Sequence, residues 1–114
     1  MNIELALANL KRHGFDAVYF ETAAQAAEYV AGELRGMSVG IGGSKTVEAM
    51  GLYETLADQG EVYWHWKQPT AEERERAAHA QAYLSSANGI SETGEIVNID
   101  GMGNRVASTI YGHD

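Results

Sequence analysis

A short apolar segment, Ser38 to Ile41, runs straight into Gly40-Ile41-Gly42-Gly43-Ser44, and Ser44 is followed by a helix-forming stretch through Met50. This junction constrains the fold more than any other feature of the chain. A strand that empties into glycines and then into a capped helix is the opening of a right-handed βαβ unit, in which the next strand lies parallel to the first. The rest of the chain follows the same rhythm. Ile3, Ala6, Leu7 and Leu10 fall at helical spacing before a Gly14 stop, and Phe15 to Phe20 carries strand-favouring Val18, Tyr19 and Phe20. Thr22 with Gln25 signals a helix start, and Ala23, Ala26, Ala27, Val30 and Leu34 make one apolar stripe ending at Arg35-Gly36.

Beyond Gly51, Leu52 to Asp58 reads as a helix, Val62 to Trp66 as a strand, and Thr70 with Glu73 as a capping box for a helix over 71–79. In that helix the run Glu72-Glu73-Arg74-Glu75-Arg76 reads as a solvated face. Ala82 to Ser85 is a weaker strand, Ser91-Glu92-Thr93-Gly94 a turn before Ile96 to Ile99, and Asn104 to Tyr111 a last short helix. The expected architecture is α/β, a mainly parallel sheet flanked by helices, in a single domain over residues 1–114. With 114 residues and no cysteine, the chain has room for one core, and disulfides, thiolate metal sites and Cys nucleophiles are excluded.

In such a fold, ligands bind beyond the carboxyl ends of the strands. Gly40, Gly42 and Gly43 let backbone approach a ligand, while Ser44, Lys45 and Thr46 offer hydroxyls, a cation and the N–H groups of a helix start, which favour an anion. The loop is neither a Walker A motif, which needs Gly at the positions of Val39 and Ser44, nor a complete dinucleotide fingerprint, which needs Gly at Lys45. The alternative is a tight turn whose glycines only allow close packing. A second candidate is the strand end formed by Asn98, Asp100, Gly101, Gly103, Asn104 and Arg105. Arg105 is suited to fork onto a carboxylate or phosphate, or to pair internally with Asp100.

Trp64 and Trp66 should face one side of their strand and His65 the other. The four histidines are dispersed without metal-ligand spacing, so no metal is expected. The net charge of -8 and the scattered basic residues argue against nucleic acid. There is no leader pattern and no apolar run of spanning length, so no membrane role is expected and the cytoplasm is the default location.

The pieces Val39-Gly40-Ile41-Gly42-Gly43-Ser44 with Thr46 and Glu48, Gly51-Leu52, Val62 to Trp66, Val97 to Gly101, and Gly103 to Ala107 together resemble the LUD domain of lactate-utilisation proteins B and C. The resemblance implies a fold related to the sugar-phosphate isomerase, CoA-transferase and formyltetrahydrofolate cyclo-ligase group. It also implies an accessory role in lactate or hydroxy-acid oxidation beside an iron-sulfur partner protein. The expected ligand is a small anionic metabolite or phosphorylated cofactor, with no particular cofactor and no catalytic residue indicated. A true acyl or CoA transferase would need a carboxylate such as Glu48. Family domains continue past the Arg105 helix, so the chain resembles the N-terminal part of the domain. From this follow two expectations: a non-enzymatic interaction or regulatory module as the alternative function, and a homodimer formed through Trp64, Trp66 and the 106–111 segment.

Overall fold

Four of the six helices begin where the short polar side chain at the N-cap satisfies an N–H that the helix itself leaves free. Asn2 accepts from Leu5 N at 3.0 Å to open α1 (Ile3–Arg12), and Thr22 accepts from Gln25 N at 3.2 Å to open α2 (Ala23–Glu33). The same device, Ser44 to Val47 N and Thr70 to Glu73 N, each at 3.1 Å, starts α3 (Lys45–Ala49) and α5 (Ala71–His79). Each such cap is worth about 1 kcal/mol. Gly51, with φ of +67°, takes the left-handed turn that separates α3 from α4 (Leu52–Gln59).

The computed structural model describes residues 1–114, and its centre is a three-stranded parallel sheet. β1 (Val39–Ile41) lies between β2 (Val62–Trp64) and β3 (Ala82–Leu84), with Ile41 beside both Trp64 and Leu84. Period-two alternation divides the two faces of β1. Val39 and Ile41 point into the main core with Val47, Leu52, Leu56 and Trp64, covered by α2 and α4. Gly40 points the other way, onto α5. The chain is therefore α/β with helices on both faces, as its sequence pattern implies. No helix is long and apolar enough to cross a membrane.

Beyond β3 the parallel pattern stops. β4 (Gly89–Ile90) and β5 (Ile96–Val97) form a separate antiparallel hairpin closed by the Ser91 to Gly94 turn, and α6 (Asn104–Ile110) follows. The hairpin is held to α1, where Asn9 donates to Glu92 O at 2.8 Å and His13 Nδ1 meets Gly94 O at 2.8 Å.

The structure departs from the sequence reading at three places. Phe15 to Phe20 belongs to no strand: no ladder partner lies beside it, and its aromatic character is used locally, Phe20 packing on Tyr29 at 5.2 Å. β2 ends at Trp64, because Lys67 N and Gln68 N both turn back to Trp64 O. Trp66 is thus outside the strand, yet its indole stacks on that of Trp64 at 5.4 Å and 17°. The third departure is Glu73, which is 5% exposed rather than solvated. Its carboxylate accepts Trp64 N at 3.1 Å, so α5 supplies the acceptor that a further strand would otherwise give to β2.

Candidate functional site

The loop after β1 stays in the sheet one residue longer than the strand itself. Gly42 donates to Leu84 O at 3.0 Å, so the chain leaves the ladder only at Gly43. Ser44 is buried and both functions of its hydroxyl are used: it accepts from Val47 N and donates to Ser86 Oγ at 2.9 Å. Ser44 thus ties the end of β1 to the segment after β3. The N–H groups of Gly43, Ser44, Lys45 and Thr46 have no hydrogen-bond partner within the chain, and the side chains of Lys45 and Thr46 are exposed.

The glycines of this loop face atoms of the chain itself. A Cβ on Gly40 would lie 2.4 Å from Ala77 O and 2.7 Å from Ala77 Cα, so Gly40 is the point at which α5 rests on β1. A Cβ on Gly42 would lie 2.6 Å from Arg105 Cγ and 2.9 Å from Tyr83 Oη. The empty side of Gly42 is a seat for the Arg105 stem. Gly43 is covered by the Trp66 indole, 3.1 Å from where its Cβ would be. At Gly40 the absent side chain is what lets α5 pack this closely on the strand.

The second glycine turn is built around Asp100. One carboxylate oxygen accepts Arg105 N at 2.6 Å and Val106 N at 3.2 Å, capping α6, while the other lies 3.5 Å from Arg105 Nε. Gly103 turns the chain into α6 with φ of +81°. The rest of the Arg105 guanidinium reaches Gly43 O at 3.4 Å, Ser86 O at 3.2 Å, Asn88 Oδ1 at 3.1 Å and Ile99 O at 2.8 Å. An arginine side chain carries five N–H donors. All of them are directed at acceptors of this chain, so Arg105 ties the loop after β1 to the segments after β3 and β5.

The structure therefore brings Gly42, Gly43, Ser44, Asp100 and Arg105 together. It leaves Lys45 and Thr46 at the open side of the loop, and Gly101 exposed, with open space where a Cβ would lie. Asn98 lies apart from this cluster, in a depression with Ser85, Ser86 and Thr109. Asn104 lines a cavity of about 140 Å³ on the other face of β1, with His65, Arg74, Tyr83 and Ser108. Burial, then the Arg74 charge, lowers the His65 pKa against a smaller pull upward from Asp100, and burial raises that of the Tyr83 phenol. At neutral pH the imidazole is uncharged, which leaves Arg74 as the cation of the cavity.

Sequence reading missed Ser86 and Asn88, the acceptors that position Arg105, and the inward role of Arg74. The signal available for the first two was the small polar run Ser85-Ser86-Ala87-Asn88 directly after a strand, the place where α/β folds put ligand-facing loops. Arg74 had none, since it sits within a charged helical run.

A family model, that of the LUD domain, matches residues 3–114. Comparison with curated proteins gave no match, and comparison with solved structures gave none.

Proposed function

The chain belongs to the LUD domain family, associated with lactate utilisation, and from that premise we propose an accessory protein of lactate or related hydroxy-acid metabolism that binds a small anion at the glycine-rich loop. The observation that carries this reading is the row of unpartnered N–H groups from Gly43 to Thr46, beside the exposed Lys45 ammonium, at the carboxyl end of the central strand. Successive N–H groups in a turn form a concave donor set for a carboxylate or phosphate oxygen. In the folded state the loop is anchored from both sides, by Ser44 and by Arg105. A preorganised donor set loses less entropy on binding than a mobile one. The ligand class is a small anionic metabolite or the phosphate of a cofactor.

The test is a titration of isotopically labelled protein with lactate, pyruvate, inorganic phosphate and CoA, followed through the amide signals of residues 43–46. Saturable shifts there, weakened in Lys45→Gln, are the expected result. Folded protein whose loop amides ignore all four compounds would refute the reading.

Arg105 favours a second reading, a binding module that keeps the fold without an open crevice, because its saturated guanidinium occupies the place where a ligand would enter between β1 and β3. On that reading Lys45→Gln leaves partner binding unchanged. Gly42 substitutions do not discriminate the two, since they disturb the seat of Arg105 itself.

A further inference from the structure

Three side chains carry a buried polar atom with no hydrogen-bond partner, Trp64 Nε1, Arg74 Nε and His113 Nε2, and of the three it is Arg74 that lines the cavity between α5 and α6. Its Nε is buried without a hydrogen-bond partner, while the rest of its half-buried guanidinium, which makes no hydrogen bond or ion pair within the chain, stays open to water; the chain's one ion pair is Arg105–Asp100. A desolvated donor on a cation costs more to leave unmet than almost any other polar group. The cavity it lines explains where a partner would sit. Around it stand the Tyr83 hydroxyl, with that of Ser108 paired to it, the Asn104 amide and the His65 imidazole, and between them the apolar surfaces of Ala77 and Ala107. Asp100, the carboxylate whose charge is felt by His65 and Tyr83, is already committed to Arg105 and to the α6 N–H groups.

We infer that this cavity is a second site, separate from the Gly43–Thr46 loop, that takes the carboxylate of a short-chain monocarboxylic acid against Arg74, with its carbon tail on Ala77 and Ala107. Three observations select that class. One cation and otherwise neutral donors match one negative charge, whereas a phosphate dianion would be left undercompensated. Between the donors the wall is aliphatic, formed by Ile41, Ala77, Ala78 and Ala107, which suits a carbon tail and does not suit a bare inorganic anion. The volume of about 140 Å³ is the share of roughly four or five liquid waters at about 30 Å³ each. That holds a small acid and excludes a nucleotide or CoA. The guanidinium supplies the paired donors that a carboxylate accepts in parallel. The inference does not require the loop to bind anything, because the loop leads to α3 and α4 on one side of β1 while the cavity lies under α5 and α6 on the other.

The test is a titration of the labelled chain with sodium propionate, with methyl propionate as the uncharged control and methylphosphonate as the dianion. The readouts are the Arg74 Nε–H, the His65 ring and the Asn104 and Ser108 amides. Propionate should shift these signals saturably, the ester should not, and the phosphonate should bind more weakly. Arg74→Gln should weaken propionate binding by about tenfold or more, and Arg74→Lys should restore part of it, since charge returns without the fork. Ala107→Leu, which fills the cavity without changing charge, should abolish binding in a protein with an unchanged melting curve. The inference is overturned by equal shifts with the ester, by undiminished binding in Arg74→Gln, or by shifts confined to residues 43–46, which would support the loop alone. It is equally overturned if the Arg74 signal moves with protein concentration before any propionate is added, because a carboxylate of a second copy would then be its partner.

Discussion

Replacing Arg105 by methionine separates the two things that residue does. Methionine keeps an unbranched stem to fill the seat on Gly42 but removes every donor from the crevice. The loss falls on Asp100 and on four further acceptors: Gly43 O, Ser86 O, Asn88 Oδ1 and Ile99 O. Both members of the Arg105–Asp100 pair are 11% exposed, so water reaches the orphaned Asp100 carboxylate poorly. Removing one partner of a well-buried pair costs about 3–5 kcal/mol. Here the Asp100 carboxylate keeps its two backbone donors and the loop oxygens are near the surface, so about 2–4 kcal/mol is expected. For a domain of this size that is a fall in melting temperature on the order of 10 °C. Thermal unfolding followed by circular dichroism measures it. Hydrogen exchange at Ile99 N, which donates to Asn88 Oδ1, should accelerate in step, since Asn88 loses the contact that orients it. A change below about 0.5 kcal/mol, with Ile99 protection intact, would mean that water substitutes fully for the guanidinium and that the clamp described above does not hold the crevice.

Gly40→Ala should destabilise the chain by about 1–3 kcal/mol or more in urea unfolding, because the new methyl meets helix backbone, which cannot rotate away; an unchanged midpoint would contradict the contact. Glu73→Ala should cost about 1–3 kcal/mol by orphaning Trp64 N, while Glu73→Gln, which keeps an acceptor, should lose much less; equal losses would show that the hydrogen bond is not the cause. Hydrogen bonds from Ser91 and then Thr93 hold the Glu95 carboxyl below its ordinary pKa. Its contribution to the hairpin turn is therefore present above the ordinary glutamate value and is lost as pH falls through the lowered folded value. A carboxyl-carbon titration that placed Glu95 at or above its ordinary value would overturn this, and Ser91→Ala should move the titration upward.

What the sequence disclosed was whatever depends on neighbours along the chain. Thr22 with Gln25, Thr70 with Glu73 and the glycine stops place four helices and their ends, and the run from Ser38 into the glycines places β1 and its turn. What it concealed depends on partners far along the chain. Val18, Tyr19 and Phe20 are strand formers, but a strand exists only where another offers a ladder, and the places beside β1 are taken by Val62–Trp64 and Ala82–Leu84. The Glu72 to Arg76 run has the charge pattern of a solvent face, yet α5 must lie on Gly40 and beside the edge of β2, which turns Glu73 inward and carries Arg74 against α6. The roles of Ser86, Asn88 and Arg105 emerge only when three segments meet at one guanidinium.

The reach of that guanidinium also orders events in time. Gly43 and Arg105 are separated by 62 residues, so their contact carries one of the largest loop-closure entropies in the fold, whereas the caps of α2, α3 and α5 close over three. Contacts of such range are rewarded late, after the helices and the β1–β2 pairing have formed. Only the contacts that hold the hairpin to α1, spanning 81 to 90 residues, close over a longer range among the side-chain hydrogen bonds, so the clamp and the hairpin are expected to form after the helices and to open before the core. Transient detachment of α6 frees the loops at the ends of β1 and β3 while the core around Ile41 and Trp64 stays folded, so the clamp region and the core should exchange their amide protons as separate cooperative units.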